Sequence, residues 1–224
     1  IQQRAQGTPT QYLTGVQEFW SLEFQVGPEV LIPRPETEHL VEAAIARSAH
    51  FSPPVIADIG TGSGSIAISL QRELPRAAIS ASDICAHALD VAKRNASRLL
   101  PNGSQISFYQ GDLFAPLHGL TFDLIVSNPP YVSAADYAAL PREIREHEPK
   151  SALYAGEDGL DLFRRLITAA PAFLTPQGYL LVEIGYGQTQ AVVTLLQEHG
   201  LRVHDIIQDY AGIDRVVVAS KTTR

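Results

Sequence analysis

The sequence contains no methionine and a single cysteine among 224 residues. Because one cysteine, Cys85, cannot form an internal disulfide, a reducing compartment and hence a cytoplasmic protein are expected. No apolar stretch reaches the roughly 20 residues that a membrane-spanning helix needs, and the first residues lack a signal-peptide pattern, so no membrane partner is expected. The seven histidines are widely separated along the chain, and no metal site is expected.

The chain also lacks a surplus of basic residues. Its 17 Lys and Arg against 24 Asp and Glu give a net charge of −7. Since non-specific binding to nucleic acids depends on Lys and Arg contacts with phosphates, no direct nucleic-acid partner is expected. With 45% hydrophobic residues, the chain is able to bury one large core, and a monomer is expected.

Short apolar runs alternate with amphipathic segments along most of the chain. This alternation predicts an α/β fold in which helices cover both faces of a largely parallel sheet. Only residues 208–213 separate the last two strands, which predicts that they pair antiparallel. The predicted strands are 55–59, 78–82, 106–109, 123–127, 178–184, 202–207 and 215–219, and the predicted helices are 36–48, 65–74, 85–99, 159–171 and 188–199.

Two regions depart from this alternation. Segment 16–32 predicts a small β-hairpin beside the functional site, so residues 1–35 are expected to be a linker with a hairpin and 36–224 the main domain. Residues 132–158 form the longest stretch without a clear strand, and they are charged and interrupted by prolines. This segment is predicted to be either a lid or protein-docking surface, or a solvated excursion with a short helix around 134–146.

A glycine-rich turn, Gly60-Thr61-Gly62-Ser63-Gly64, follows the first predicted strand of the main domain. Glycines at a strand-to-helix turn allow a sharp bend and the close approach of a ligand. The third glycine falls one residue too early for the dinucleotide pattern G-x-G-x-x-G. Asp58, just before the turn, would repel a pyrophosphate but could contact a cationic cofactor that carries an amino acid, directly or through water. The turn therefore favours S-adenosylmethionine over NAD.

Two further acids stand at the ends of predicted strands. Asp83 lies about 20 residues beyond the glycine turn, where a carboxylate can bind both ribose hydroxyls of either cofactor. The alternative for Asp83 is an N-cap of the following helix. Asp112 could accept a hydrogen bond from an adenine amino group while Leu113 or Phe114 covers the ring, and its alternative is a turn residue.

The segment Asn128-Pro129-Pro130-Tyr131 directly follows the apolar run 124–127. The two prolines fix their own φ angles and remove two backbone donors, which leaves their carbonyl groups free. Asn128 adds a side-chain acceptor and Tyr131 an aromatic face. Together they predict a slot for a planar NH2 group, either an amide or the exocyclic amine of a base. The alternative is a tight loop in which the prolines only end the strand.

Taken in order, these motifs resemble the HemK-type protein-glutamine methyltransferases, from about Arg4 to Val218. The most specific segments are Gln-Tyr-Leu-Thr-Gly at 11–15 and Leu-Ile-Pro-Arg-Pro-Glu-Thr-Glu at 31–38. The resemblance implies a class-I S-adenosylmethionine-dependent methyltransferase with a Rossmann-like sheet and an antiparallel last strand. It also implies methylation of N5 of the glutamine in the Gly-Gly-Gln motif of peptide chain release factors, which makes a release factor the expected protein partner.

The resemblance also implies roles for individual residues. The expected catalytic residues are Asn128, Pro129 and Tyr131, with Pro130 also contacting substrate. The expected cofactor-binding residues are Asp58, Gly60, Thr61, Gly62, Gly64, Asp83, Asp112, Leu113 and Asn128. Segment 33–38 is expected against the methionine end of the cofactor, although acids there also complement the dipole of the following helix.

Three alternatives remain open at the level of the sequence. The same slot serves a flipped adenine, so methylation of the N6 amine in DNA or RNA is one alternative. A glutamine of a ribosomal protein is a second possible acceptor, and a non-catalytic S-adenosylmethionine-binding module is the third. Family members usually carry an N-terminal helical domain before the segment at 7–11, and we expect the sequence to be a catalytic fragment without that domain.

Overall fold

The strands are β1 Val16–Phe19, β2 Leu22–Gln25, β3 Val55–Ile59, β4 Ala78–Asp83, β5 Ile106–Gln110, β6 Phe122–Ser127, β7 Leu174–Glu183, β8 Leu201–Gln208 and β9 Asp214–Lys221. A seven-stranded sheet forms the centre of the molecule, with the strand order β5-β4-β3-β6-β7-β9-β8. The computed structural model describes residues 2–101 and 104–222. Strands β3 to β7 run parallel, whereas β9 lies antiparallel between β7 and β8. This confirms the predicted sheet and its antiparallel last strand.

Helices pack on both faces of this sheet. Residues of the helices Glu38–Ser48, Ser65–Glu73 and Ala86–Leu99 contribute to the core on one face, and residues of the helices Asp161–Phe173 and Thr189–Glu198 contribute to the core on the other. Short 3-10 turns occupy Pro35–Thr37, Ala115–Leu117 and Lys150–Ala152. The α-helices are α1 Gln2–Ala5, α2 Thr10–Thr14, α3 Glu38–Ser48, α4 Ser65–Glu73, α5 Ala86–Leu99, α6 Ala134–Ala139, α7 Arg142–His147, α8 Asp161–Phe173 and α9 Thr189–Glu198.

Residues 124–126 of the central strand β6 are an unbroken apolar run. Leu124 and Val126 are buried in the core on one face, and Phe122 and Ile125 in the core on the other. Side chains of a strand alternate between the two faces, so a stretch that is covered on both sides is apolar at successive positions. Because β3 and β6 pair in parallel, their last residues lie at one edge of the sheet.

The predicted hairpin is present as a separate two-stranded sheet, formed by β1 and β2. It is shorter than segment 16–32, because residues 26–32 continue as loop. The buried amide of Asn95 on α5 fixes β2 to the main domain: its Oδ1 accepts from the Gln25 N–H at 2.8 Å, and its Nδ2 donates to the Gln25 carbonyl at 3.0 Å. The same Nδ2 donates to the Ser63 carbonyl at 2.9 Å, which connects the hairpin to the glycine-rich turn.

Several predicted boundaries differ from the structure. The first helix of the main domain begins at Glu38 rather than 36, because Pro35–Thr37 forms a 3-10 turn. Strand β7 begins at Leu174 rather than 178. The short helix expected around 134–146 is two helices, since Pro141 lacks an N–H donor and restricts Leu140, whose ψ is 145°, to an extended conformation. Within the described residues, no helix is both long enough and apolar enough to cross a bilayer.

Candidate active site

A cavity of about 280 Å³ opens at the carboxyl ends of the parallel strands. It lies where the strand order reverses between β3 and β6, which is where open α/β sheets bind ligands. Of the predicted site residues, Gly60, Gly62, Asp83, Asp112, Leu113, Asn128, Pro129 and Pro130 line it. Asp58, Thr61, Gly64 and Tyr131 lie outside this lining. The structure therefore brings the glycine turn, two acids and the Asn-Pro-Pro segment around one space.

The glycines of the turn serve two different purposes. Gly60 and Gly62 have φ angles of 77° and 55°, and a Cβ on either would meet no atom within 4 Å. These two positions therefore leave room for a ligand beside the backbone. At Gly64 a Cβ would stand 3.1 Å from the Ala92 Cβ and 2.9 Å from the Ile68 Cδ1. Gly64 allows α4 to begin in close contact with α5.

Asp83 is held in the cavity wall by backbone donors. Its Oδ2 accepts from the Gly62 N–H and its Oδ1 from the Cys85 N–H, both at 2.9 Å. Burial raises the pKa of this carboxyl, and the backbone hydrogen bonds oppose that rise. Each oxygen keeps a further lone pair, so the carboxylate suits a pair of vicinal hydroxyls. The N-cap alternative is wrong, because Cys85 is the N-cap of α5 and no side chain caps the helix.

Ile84 was missed by the analysis of the sequence. It is 63% exposed although it lies directly after a buried strand, and it lines the cavity beside Asp83. An exposed aliphatic side chain at this place is able to cover a flat apolar ring. The feature of the sequence that could have pointed to Ile84 is its position, one residue beyond Asp83, the acid that ends β4.

Asp58 lies beneath the glycine turn and is fully buried. Its Oδ2 accepts from the Thr61 hydroxyl at 2.6 Å and from the Ala67 N–H at 3.2 Å, so it holds the turn against the start of α4. Burial raises the pKa of Asp58 to about 7, which the two hydrogen bonds only partly oppose. Its Oδ1 has no hydrogen-bond partner among the described residues. A direct contact of Asp58 with a cofactor stays a prediction.

Residues 112–114 divide between the cavity and the core. Asp112 lines the cavity and forms an ion pair with Arg165 on α8. Leu113 lines the cavity with a φ of 48°, an uncommon conformation for a residue with a Cβ. Phe114 is buried and stacks on Phe173 with ring centroids 4.6 Å apart. Of the two residues proposed to cover a ring, only Leu113 is therefore placed at the cavity.

The Asn-Pro-Pro-Tyr segment is anchored at both ends. The Asn128 Nδ2 donates to the Thr37 hydroxyl at 3.0 Å, and the Tyr131 carbonyl accepts from the Gln188 Nε2 at 2.9 Å. The Gln188 Oε1 accepts in turn from the Gly185 N–H at 2.9 Å, so one side chain connects the segment to the loop after β7. Burial raises the pKa of the Tyr131 hydroxyl, which is therefore neutral at physiological pH.

Glu183 was not recognised from the sequence, where it lay inside the predicted strand 178–184. It is 1% exposed at the end of β7, next to Thr37 and Asn128. Burial raises the pKa of Glu183 to about 7, while hydrogen bonding to Thr37, the charge of Arg215 and hydrogen bonding to Asn128 lower it. The missed signal was the one on which the predictions for Asp58 and Asp83 rest, an acid at or next to the end of an apolar strand.

Two segments distant in sequence form the outer wall of the cavity. Residues Glu29, Val30 and Leu31 line it from one side, and Pro149, Ser151 and Ala152 from the other. The buried carboxylate of Glu148 joins them: it accepts from the Ile32 N–H at 3.2 Å and pairs with Arg34. The end of segment 132–158 is thus part of the cavity wall, and its docking of a protein stays a prediction.

The sequence itself matches known methyltransferases. Residues 38–147 match the methyltransferase small domain family. Release factor glutamine methyltransferases from Moorella thermoacetica and Geobacter sulfurreducens are 49% and 45% identical to the chain, which is covered to 98% and 97%. The alignments cover 77% and 75% of those two proteins. The chain belongs to the release factor glutamine methyltransferase family.

Solved structures agree with this assignment. The crystal structure of the release factor-specific protein-(glutamine-N5) methyltransferase from Alicyclobacillus acidocaldarius is 31% identical, with a TM-score of 0.53 over 89% of this chain and 100% of that one. A methyltransferase from Pyrococcus furiosus, 17% identical, matches 98% of each chain with a TM-score of 0.66 and shows the fold alone. Membership in the family confirms the predicted class, an S-adenosylmethionine-dependent methyltransferase.

Proposed function

We propose that this protein transfers a methyl group from S-adenosylmethionine to the side-chain amide nitrogen of the glutamine in the Gly-Gly-Gln motif of peptide chain release factors. The observation that carries the proposal is the Asn-Pro-Pro segment at the cavity, with the Asn128 amide oriented by its hydrogen bond to Thr37. The names of the relatives support the same acceptor.

The residues of the cavity fit the cofactor. Gly60 and Gly62 leave open space beside the backbone, and Asp83 presents two backbone-held oxygens to a ribose. Ile84 and Leu113 supply apolar surface for the adenine, and Asp112 supplies an acceptor at the rim. S-adenosylmethionine supplies an electrophilic methyl group on a positively charged sulfur. The chain must therefore bring the acceptor nitrogen into line with that methyl group and exclude water.

The low reactivity of the amide nitrogen of the substrate is the remaining obstacle to methyl transfer. An amide nitrogen is a poor nucleophile because its lone pair is delocalised into the carbonyl group. In our proposal the Asn128 side-chain oxygen and the Pro129 carbonyl accept the two amide hydrogens, which orients the NH2 group and favours a lone pair directed at the methyl group. Pro130 lines the cavity beside this pair, whereas Tyr131 lies outside the lining, and its packing on the amide plane stays a prediction. No strong base is needed before transfer, since the methylated, cationic nitrogen readily loses its proton.

The proposal is tested with a purified release factor, labelled S-adenosylmethionine and peptide mass mapping. We expect one added methyl group on the Gly-Gly-Gln glutamine, and none on a Gly-Gly-Asn variant or on an adenine-containing oligonucleotide. Transfer to the oligonucleotide, or to another site of the release factor, would refute the acceptor. Asn128→Ala should lower kcat by about 100-fold, the scale of one lost transition-state hydrogen bond, and leave cofactor affinity almost unchanged.

The oligomeric state, the compartment and the domain organisation of the enzyme are part of the same proposal. We propose a monomer that acts in the cytoplasm, does not bind nucleic acid directly, and consists of a hairpin-bearing segment 1–35 and a methyltransferase domain 36–224. The net charge of −7 supports the absence of nucleic-acid binding. Light scattering after size-exclusion chromatography, with and without a release factor, tests the oligomeric state.

A further inference from the structure

Three side chains from distant parts of the sequence meet behind the Asn-Pro-Pro segment. Thr37 ends the 3-10 turn before α3, Glu183 ends β7, and Asn128 follows β6. Ser127 and Val182 are paired in the sheet, which places the next residues of the two strands side by side. Thr37 is 3% and Glu183 1% exposed, so the group is closed to solvent on this side.

We propose that Glu183 is a positioning residue that, acting through Thr37, fixes which way the side-chain amide of Asn128 points. The inference rests on the proposed function, in which the Asn128 oxygen must face the substrate amide. It adds a requirement that the Asn-Pro-Pro-Tyr segment does not itself meet. An asparagine side chain has two nearly isosteric orientations, and only one of them presents the oxygen to the cavity.

The polarity of the hydrogen bonds selects that orientation. The buried Glu183 Oε2 has no hydrogen-bond partner among the described residues, and Thr37 lies beside this carboxyl group. Since an ionised carboxylate only accepts hydrogen bonds, the inference has the Thr37 hydroxyl donate to Glu183. The oxygen of the same hydroxyl then accepts from the Asn128 Nδ2 at 3.0 Å. An amide whose NH2 group faces Thr37 and Glu183 presents its carbonyl oxygen on the other side, and Asn128 lines the cavity.

Protonation of Glu183 removes this selection. A neutral carboxyl group carries an O–H donor, which allows the Thr37 hydroxyl to turn and donate to the Asn128 oxygen instead. The charged and titratable groups around Glu183 are Arg215 on β9, which favours ionisation, Glu36 beside Thr37, which opposes it, and the neutral Tyr131. With a pKa of Glu183 near 7, the change occurs within the range in which the enzyme can be assayed.

Kinetics with matched variants test the inference. Glu183→Gln and Thr37→Val should lower kcat about tenfold or more, equivalent to about 1.4 kcal/mol, with little change in cofactor Kd. Thr37→Ser keeps the hydroxyl and should restore most of kcat. For the wild type we expect kcat to fall as pH decreases through about 7, with the slope of a single protonation. This limb should be absent in Glu183→Gln and retained in Glu198→Gln, an acid-to-amide change on the exposed surface of α9.

A measurement without turnover examines the same orientation. The side-chain NH2 signal of Asn128, assigned by its loss in Asn128→Ala, should shift with pH in the wild type and stay constant in Glu183→Gln. If wild type methylates the release factor but Glu183→Gln and Thr37→Val retain its kcat and pH profile, the inference is wrong and the proposed function stands. If wild type does not methylate the release factor, the proposed function is wrong, and a pH-independent NH2 signal alone would still refute the positioning role.

Discussion

Replacing Gly159 by alanine should disturb the Asn-Pro-Pro-Tyr segment directly. Gly159 has a φ of +76°, and a Cβ there would stand 2.3 Å from the Tyr131 carbonyl oxygen and 2.8 Å from the Gln188 Nε2. Carbon and oxygen atoms normally approach to about 3.3 Å, so the carbonyl must move by roughly 1 Å. The same carbonyl accepts the hydrogen bond from Gln188, and Tyr131 directly follows the two prolines. The displacement therefore reaches the slot.

The size of the effect follows from these contacts. A left-handed backbone costs a residue with a Cβ about 1–2 kcal/mol, and the lost hydrogen bond about 1 kcal/mol, so Gly159→Ala should reduce the free energy of unfolding by about 2–3 kcal/mol. A shift of 1 Å in a positioning group is able to lower the rate about 100-fold. We expect kcat to fall by that order while the cofactor Kd is maintained, because Gly159 lies outside the cavity lining.

Gly212 provides the matched control. It has the same φ of +76°, but a Cβ on it would meet no atom within 4 Å. Gly212→Ala should therefore show the backbone cost in urea denaturation without a loss of kcat. An equal loss of kcat in both variants would show that strain alone is responsible, and a normal kcat in Gly159→Ala would refute the contact with Tyr131 as a determinant of the slot.

Three further changes test other parts of the site. Asp83→Asn should weaken cofactor binding about tenfold or more in calorimetry, because a charged acceptor is lost, and unchanged affinity would contradict its contact with the ribose. Asn95→Asp turns an NH2 donor into an acceptor that faces the carbonyls of Gln25 and Ser63, and it should reduce the free energy of unfolding by about 1–3 kcal/mol in urea. Burial raises the pKa of Asp58 from 3.8 to about 7, so its contribution to stability is full below pH 3.8 and is lost as pH rises through 7. Asp58→Asn should remove this decline from unfolding curves measured between those pH values, and an unaltered pH dependence would refute it.

The main sheet could be predicted because its strands are buried on both faces. Val55–Ile59 is reproduced to the residue, since a short apolar run between a proline pair and a glycine turn leaves little choice of boundary. Boundaries predicted from local sequence patterns were wrong where a proline or a strand pairing decides where an element begins or ends. The 3-10 turn at Pro35–Thr37 and the break at Pro141 both depend on proline, and the early start of β7 depends on pairing of Leu174 with Phe122.

Residues that line the cavity were predictable where a characteristic residue type stands at a characteristic place, such as the end of a strand. An acid or glycine at or after the end of an apolar run was enough to predict Gly60, Gly62 and Asp83, which line the cavity, and their contact with a cofactor stays a prediction. The pair of Arg34 and Glu148 could not be found this way, because 114 residues separate them and only the folded chain brings them together. The same is true of Gln188, whose contact with the Tyr131 carbonyl spans 57 residues.

Two buried acids show how the fold supports the site from behind. Asp58 lies one residue before the end of β3 and Glu183 ends β7, and neither lines the cavity. Asp58 holds the glycine turn through Thr61 and Ala67, and Glu183 lies against Thr37 and Asn128. Burying a carboxylate costs free energy, so these positions are poor choices for stability alone. Asp58 fixes a backbone turn whose glycines line the cavity, whereas Thr37 and Glu183 lie behind Asn128, a cavity side chain whose orientation needs a fixed partner on its other side.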